Sequence, residues 1–77
     1  MLIHLKLYSI LREKLPNDAR GVTDLTLEEG ASLDTLLTIL GIERKVVISI
    51  NGELETDRSR LLKDGDEVKM FSSVSGG

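Results

Sequence analysis

Ser32-Leu33-Asp34-Thr35-Leu36-Leu37-Thr38-Ile39-Leu40-Gly41, residues 32–41, is the stretch of this chain that decides its fold. Leu33, Leu36, Leu37 and Leu40 recur at helical spacing and fall on one side. Ser32 is a good N-cap, Asp34 suits the positive end of the helix dipole, and Gly41 stands where a left-handed residue ends a helix. One main helix of about two to three turns is expected here. Working backwards, Val22 to Glu28 alternates, with Thr23, Leu25 and Leu27 on one side and Gly21 and Gly30 as punctuation. Ile3, Leu5 and Leu7 alternate against His4, Lys6 and Tyr8, so both segments read as half-buried strands of a hairpin with a long loop. Within that loop, Ser9 to Leu15 reads as a short helix stopped by Pro16 and the polar Asn17-Asp18.

Working forwards, Val46-Val47-Ile48-Ser49-Ile50 is β-branched and apolar, which predicts a central strand. Asn51-Gly52 is a strong hairpin-turn signal, and Leu54 follows on a brief return strand. Arg58 to Lys63 is polar, with Leu61-Leu62 expected beneath the sheet. Asp64-Gly65 turns the chain into a last strand, Asp66 to Phe71, whose buried side is Val68 and Met70. Strand, strand, helix, strand, short strand, strand describes a sheet wrapped around one helix, an α+β fold. The first and last strands then lie side by side in the middle. Residues 1–71 make one domain and 72–77 a tail.

With 77 residues and no cysteine, the chain is small and has no disulfide to reinforce it. It also lacks a thiol nucleophile and any thiolate metal or cluster site. A single histidine, His4, cannot build a metal site, and no metal is expected. Met1 to Tyr8 is neither a signal peptide nor a membrane span, so a cytoplasmic location and no membrane partner are expected. The net charge of −3 with interspersed signs, and two aromatics in all, argue against nucleic acid. Such a charge would suit a basic partner surface. No nucleophile–base pair is visible, so the chain is not expected to be an enzyme acting alone.

Chemistry concentrates at the end of the sequence, Val74-Ser75-Gly76-Gly77. Glycines let a backbone approach a surface closely. At average glycine usage a chance Gly-Gly ending has a probability of about 0.5%. A last residue with a free α-carboxylate offers a group that a partner can activate. Other candidates are weaker. His4 reads as a surface residue, Glu28-Glu29 and Asp64/Asp66 flank turns where acids are common, and Arg44-Lys45 suits the helix C-terminal dipole.

The chain resembles the β-grasp, ubiquitin-like sulfur carriers, the group that includes the small subunit of molybdopterin synthase and the thiamine sulfur carrier. The resemblance covers nearly the whole chain. Leu11-Arg12-Glu13, the strand leading into Asn51-Gly52-Glu53, Leu62-Lys63-Asp64-Gly65-Asp66-Glu67-Val68 and the closing Val74-Ser75-Gly76-Gly77 carry it. Length and the Leu-Arg-Glu segment are more similar to the molybdopterin-synthase type. That family often has prolines between the last strand and the tail, where this chain has Ser72-Ser73. The resemblance implies a β-grasp roll, a mixed sheet of four to five strands around one helix. It also implies a non-catalytic carrier, itself binding no cofactor. An adenylating activating enzyme would spend ATP on the Gly77 carboxylate, and a sulfur donor would convert it to a thiocarboxylate. The acceptor would be the large subunit of molybdopterin synthase, in molybdenum cofactor biosynthesis, or another sulfur-acceptor enzyme.

Six residues, 72–77, span roughly 20 Å when extended, enough to enter a deep active site. Tyr8 and Phe71 are out of phase with the buried residues of their strands, so both are expected to face outward. With Leu54 they form a candidate docking patch, beside Val74 and Gly76 on the tail. Two other functions begin from the same residues: a protein modifier conjugated through Gly77, or a sulfur carrier for thiamine or tRNA thiolation. A third is an interaction module that does not use its glycines.

Overall fold

The computed structural model describes residues 1–15 and 20–72. Strand β1, Leu2–Leu7, buries Ile3, Leu5 and Leu7 and turns Leu2, His4 and Lys6 outward, as a two-residue period dictates. It pairs antiparallel with β2, Val22–Thr26, and parallel with β5, Glu67–Ser72. Strand β3, Val46–Ile50, runs antiparallel to β5 and forms a hairpin with the short β4, Glu53–Glu55. The mixed five-stranded sheet has the order β2-β1-β5-β3-β4, so β5 is its centre and β3 lies one strand in from the edge.

Helix α1, Leu33–Leu40, covers one face of the sheet. Ser32 accepts a hydrogen bond from the Thr35 backbone N–H, and the Ser32 N–H donates to Thr35 Oγ1 in return. This reciprocal pair satisfies donors that a helix start leaves open. Gly41 ends the helix in the left-handed conformation, φ 71°. Leu33, Leu36 and Leu37 pack with Ile3, Leu5, Leu7, Ile48, Ile50, Val68 and Met70 in one core. Each such side chain contributes about 1.5–3 kcal/mol on burial.

Three sequence expectations change. Residues Ser9–Lys14 form a 3-10 helix in which Leu11 is the buried residue, and the following Leu15 is extended. Ser9 enters it with φ 54°, so the chain turns sharply off the sheet directly after Tyr8. Leu62 is buried but Leu61 is 59% exposed, because the Leu62 N–H donates to Ala31 O and only alternate side chains can face inward. The last turn of α1 carries no basic residue, and Arg44-Lys45 lies instead beside the start of β3.

The acids near the turns are tied to backbone and neighbours. Asp64 accepts from the Leu2 N–H at 2.6 Å. Asp66 is buried and accepts from the Lys63 N–H and from Asn51 Nδ2, while Asn51 Oδ1 accepts from the Glu67 N–H. This clamp fixes the start of β5 against the β3–β4 turn. Past β4, Arg60 donates to Glu55 at 2.8 Å and holds that carboxyl below its ordinary pKa. The Ser59 hydroxyl and N–H do the same for Asp57. Among the described residues no cluster of acids and histidine is arranged to hold a metal, and no helix is long and apolar enough to cross a membrane.

Candidate functional site

The sheet has a second face, away from α1, and the strand registers determine what stands on it. Leu7 pairs with Met70 and Phe71 pairs with Val47, so Tyr8, Phe71 and Val47 form one row across β1, β5 and β3. The Tyr8 backbone N–H donates to Met70 O at 3.1 Å, which carries the register one residue past the end of β1. The rings of Tyr8 and Phe71 stack with centroids 4.3 Å apart and planes 14° from parallel. Such a pair contributes about 0.5–1.5 kcal/mol beyond its burial. Leu54 stands opposite Ser49 on β4, diagonal to Val47, and is 74% exposed. Phe71 is 37% and Val47 44% exposed.

The three residues expected to face outward therefore do so, and a fourth joins them. Val47 is hidden in the sequence because the run from Val46 to Ile48 is uniformly apolar. Counting back from the Asn51-Gly52 turn exposes it: Ile50 and Ile48 share the buried parity, which leaves Ser49 and Val47 on the same outer face as Leu54. Lys6 and Lys69 pair in the next row, and the Lys6 ammonium lies 4.9 Å from the centre of the Tyr8 ring. An exposed cation–π contact of this kind contributes about 0.5–1 kcal/mol. The charge beside the patch is thus positive, although the whole chain carries −3. A basic partner surface, expected from net charge, does not suit this face.

His4 stands in the following row, 47% exposed, with Nδ1 2.7 Å from Asp24 Oδ1 on β2 and with Glu67 as its register partner on β5. It is a surface residue, held by a partner that its position in the sequence does not reveal.

The candidate reacting end, Gly77, and the tail residues Gly76 and Val74 lie outside the described residues. Ser72 is still paired, with Val46. Ser72, the last described residue before the tail, directly follows Phe71 of the aromatic stack in β5.

A family model described as the ThiS family matches residues 5–77, which takes in the helix, both terminal glycines and all of the sheet except the first half of β1. The chain belongs to the ThiS family. The resemblance to ubiquitin-like sulfur carriers is borne out at that level. No curated protein sequence matches the chain. Solved structures of similar fold include SAMP1 from Haloferax volcanii, 19% identical over the full length of both chains with a TM-score of 0.74. A Pyrococcus furiosus protein described as molybdopterin converting factor, subunit 1, is 22% identical over 96% of this chain and 99% of its own, with a TM-score of 0.77. A chain from the complex of subunits 1 and 2 of the Helicobacter pylori molybdopterin-converting factor is 20% identical over the full length of both, with a TM-score of 0.67. These likenesses establish the β-grasp, ubiquitin-like fold of this ThiS-family chain.

Proposed function

We propose that this chain carries sulfur on its C-terminal carboxylate, most directly for molybdopterin synthesis. The family match running through Gly77 carries the reading. In this scheme a partner enzyme joins the Gly77 carboxylate to AMP, releasing pyrophosphate from ATP. Hydrosulfide from a sulfur donor then attacks the acyl carbon, AMP leaves with the oxygen and the S–H proton is lost, so that a thiocarboxylate remains. A bare carboxylate is a poor acyl donor, and the adenylate supplies the leaving group that it lacks. The chain has no thiol of its own to attack the activated end. Binding of ATP and catalysis of both steps belong to the partner.

The outer face supplies docking. Tyr8, Phe71, Val47 and Leu54 offer an apolar centre, and Lys6 and Lys69 border it, so a partner with an apolar patch and an acidic rim is complementary. Docking there holds the root of the tail beside the partner while Gly76 and Gly77 enter a channel that side chains would obstruct. The Helicobacter pylori structure, a complex of subunits 1 and 2, supports an acceptor of the large-subunit kind. The likeness to a small archaeal modifier protein, 18% identical, supports a second reading in which Gly77 forms an isopeptide bond with lysines of other proteins.

ATP–pyrophosphate exchange with the cognate activating enzyme tests the first step. Exchange should require Gly77 and should cease when the chain is extended by one residue, because the carboxylate becomes an amide. Exchange that survives either change would refute the scheme. Isopeptide-linked ladders in cells, abolished by deleting Gly77, would favour the modifier reading over the carrier.

A further inference from the structure

Strand β4 has three residues, too few to cover the outer edge of the five-residue β3. It pairs with Ile48, Ser49 and Ile50 and stops at Glu55, leaving Val46 and Val47 of β3 without a neighbour on that side. Beside this uncovered stretch lies a groove of about 510 Å³. Its floor is apolar, from Leu37, Val46 and Ile48, and its rim carries Arg44, Lys45 and Arg58.

Backbone geometry points the same way. Asn51 and Gly52 have φ of 52° and 86°, the two positive values of a type I′ hairpin loop. That turn makes Ile50 and Glu53 a hydrogen-bonded pair, and antiparallel alternation makes Ile48 and Glu55 the next one. Continued by two residues, the pattern aims the N–H and C=O of Val46 into the groove. No backbone partner meets them there among the described residues.

The charges do not cancel. Arg58 is engaged by Asp34 at 2.9 Å, and Glu55, the acid lining the groove, is engaged by Arg60 at 2.8 Å. Arg44 and Lys45 have no ion-pair partner among the described residues, so the groove is net positive on a chain of net charge −3. Cations on a sheet edge also discourage pairing between copies. That role needs no apolar floor, and the floor is what distinguishes a binding groove from a guarded edge.

We infer that this groove binds an extended segment of a partner protein, one that alternates apolar with acidic side chains and adds as a short strand along Val46. Its apolar side chains would sit over Leu37 and Ile48, its carboxylates would meet Arg44 and Lys45, and its backbone would pair with Val46. Val47 and Leu54 line the groove as well as the docking patch, so one partner can occupy both surfaces. The inference does not depend on the chemistry of Gly77.

The test is an NMR titration of the labelled chain with a blocked synthetic peptide that alternates valine with glutamate. A second peptide that alternates valine with lysine is the control. The amides of Lys45, Val46 and Val47 should shift with the acidic peptide, and the Val46 N–H should become protected from exchange. The R44E/K45E double variant and the lysine peptide should each bind about tenfold more weakly or worse. Val46→Pro removes an N–H that the sheet itself does not use, so it should keep the fold and lose the peptide. The inference is overturned by equal binding of the two peptides, or by undiminished binding to R44E/K45E. Shifts confined to the other open edge, Val22–Thr26, would overturn it too. So would the same amides shifting with chain concentration alone, since the occupant would then be a second copy.

Discussion

Gly21 shows how one residue can constrain the start of this fold. Its φ is +80°, and an added Cβ would collide with the Leu7 carbonyl oxygen and come within 2.9 Å of Arg12 Cγ. The same peptide accepts the Leu7 N–H at 2.6 Å, so it cannot move aside without losing that bond. Gly21→Ala should therefore cost about 1–3 kcal/mol, read from urea unfolding. Gly41, with φ +71° and open space around it, should cost about 1 kcal/mol for the same change. Equal costs would mean that the collision at Gly21 is relieved by movement. At the docking patch the expectation is reversed. Leu54 is 74% exposed, so Leu54→Asp should leave stability within about 0.5 kcal/mol while weakening partner binding at least tenfold. Calorimetry for each quantity checks the pair of outcomes.

Alternation was readable in the sequence wherever one face of a strand is polar. Ile3, Leu5 and Leu7, then Val68 and Met70, declare their parity, and Tyr8 and Phe71 follow from it. Strand β3 hides its parity because Val46, Val47 and Ile48 are all apolar, so Val47 is found not from its own run but by counting back from the Asn51-Gly52 turn, in agreement with the register. Leu61 and Leu62 are equally apolar neighbours, and only backbone pairing with Ala31 decides which one is buried. The 3-10 character of Ser9–Lys14 follows from the turn at Ser9 and a run too short for a stable α-helix. The hydrogen bonds of His4, Asp64 and Asp66 join residues at least fifteen positions apart or across a tight turn, and local patterns do not announce them. Among the elements, α1 was the most legible because its cap and its leucines agree. Ser32→Ala should cost about 1 kcal/mol in thermal or urea unfolding. The segment after β4 should respond to acid. Arg60 lowers the Glu55 pKa and Ser59 lowers that of Asp57, so the stability both supply is present above the ordinary carboxylate range. It is lost as pH falls through the lowered values. Glu55→Gln should thus be less stable than the parent at neutral pH and converge with it in acid. A constant difference across that range would contradict the assignment.

At the scale of the whole molecule, the sheet separates two tasks. One face is filled by α1 and makes the core, while the other is left with an aromatic stack, two lysines and exposed Val47 and Leu54. The centre of the sheet, β5, is also the strand from which the tail departs. Removing Gly76-Gly77 should leave the melting temperature unchanged and end sulfur transfer; a fall in melting temperature would show that the tail belongs to the fold. The most direct measurement is the intact mass of the chain after incubation with ATP, the cognate activating enzyme and a sulfur source. The account predicts that one oxygen is replaced by sulfur, localised to Gly77 by fragmentation. An unchanged mass with an active enzyme, or sulfur found elsewhere in the chain, would contradict it.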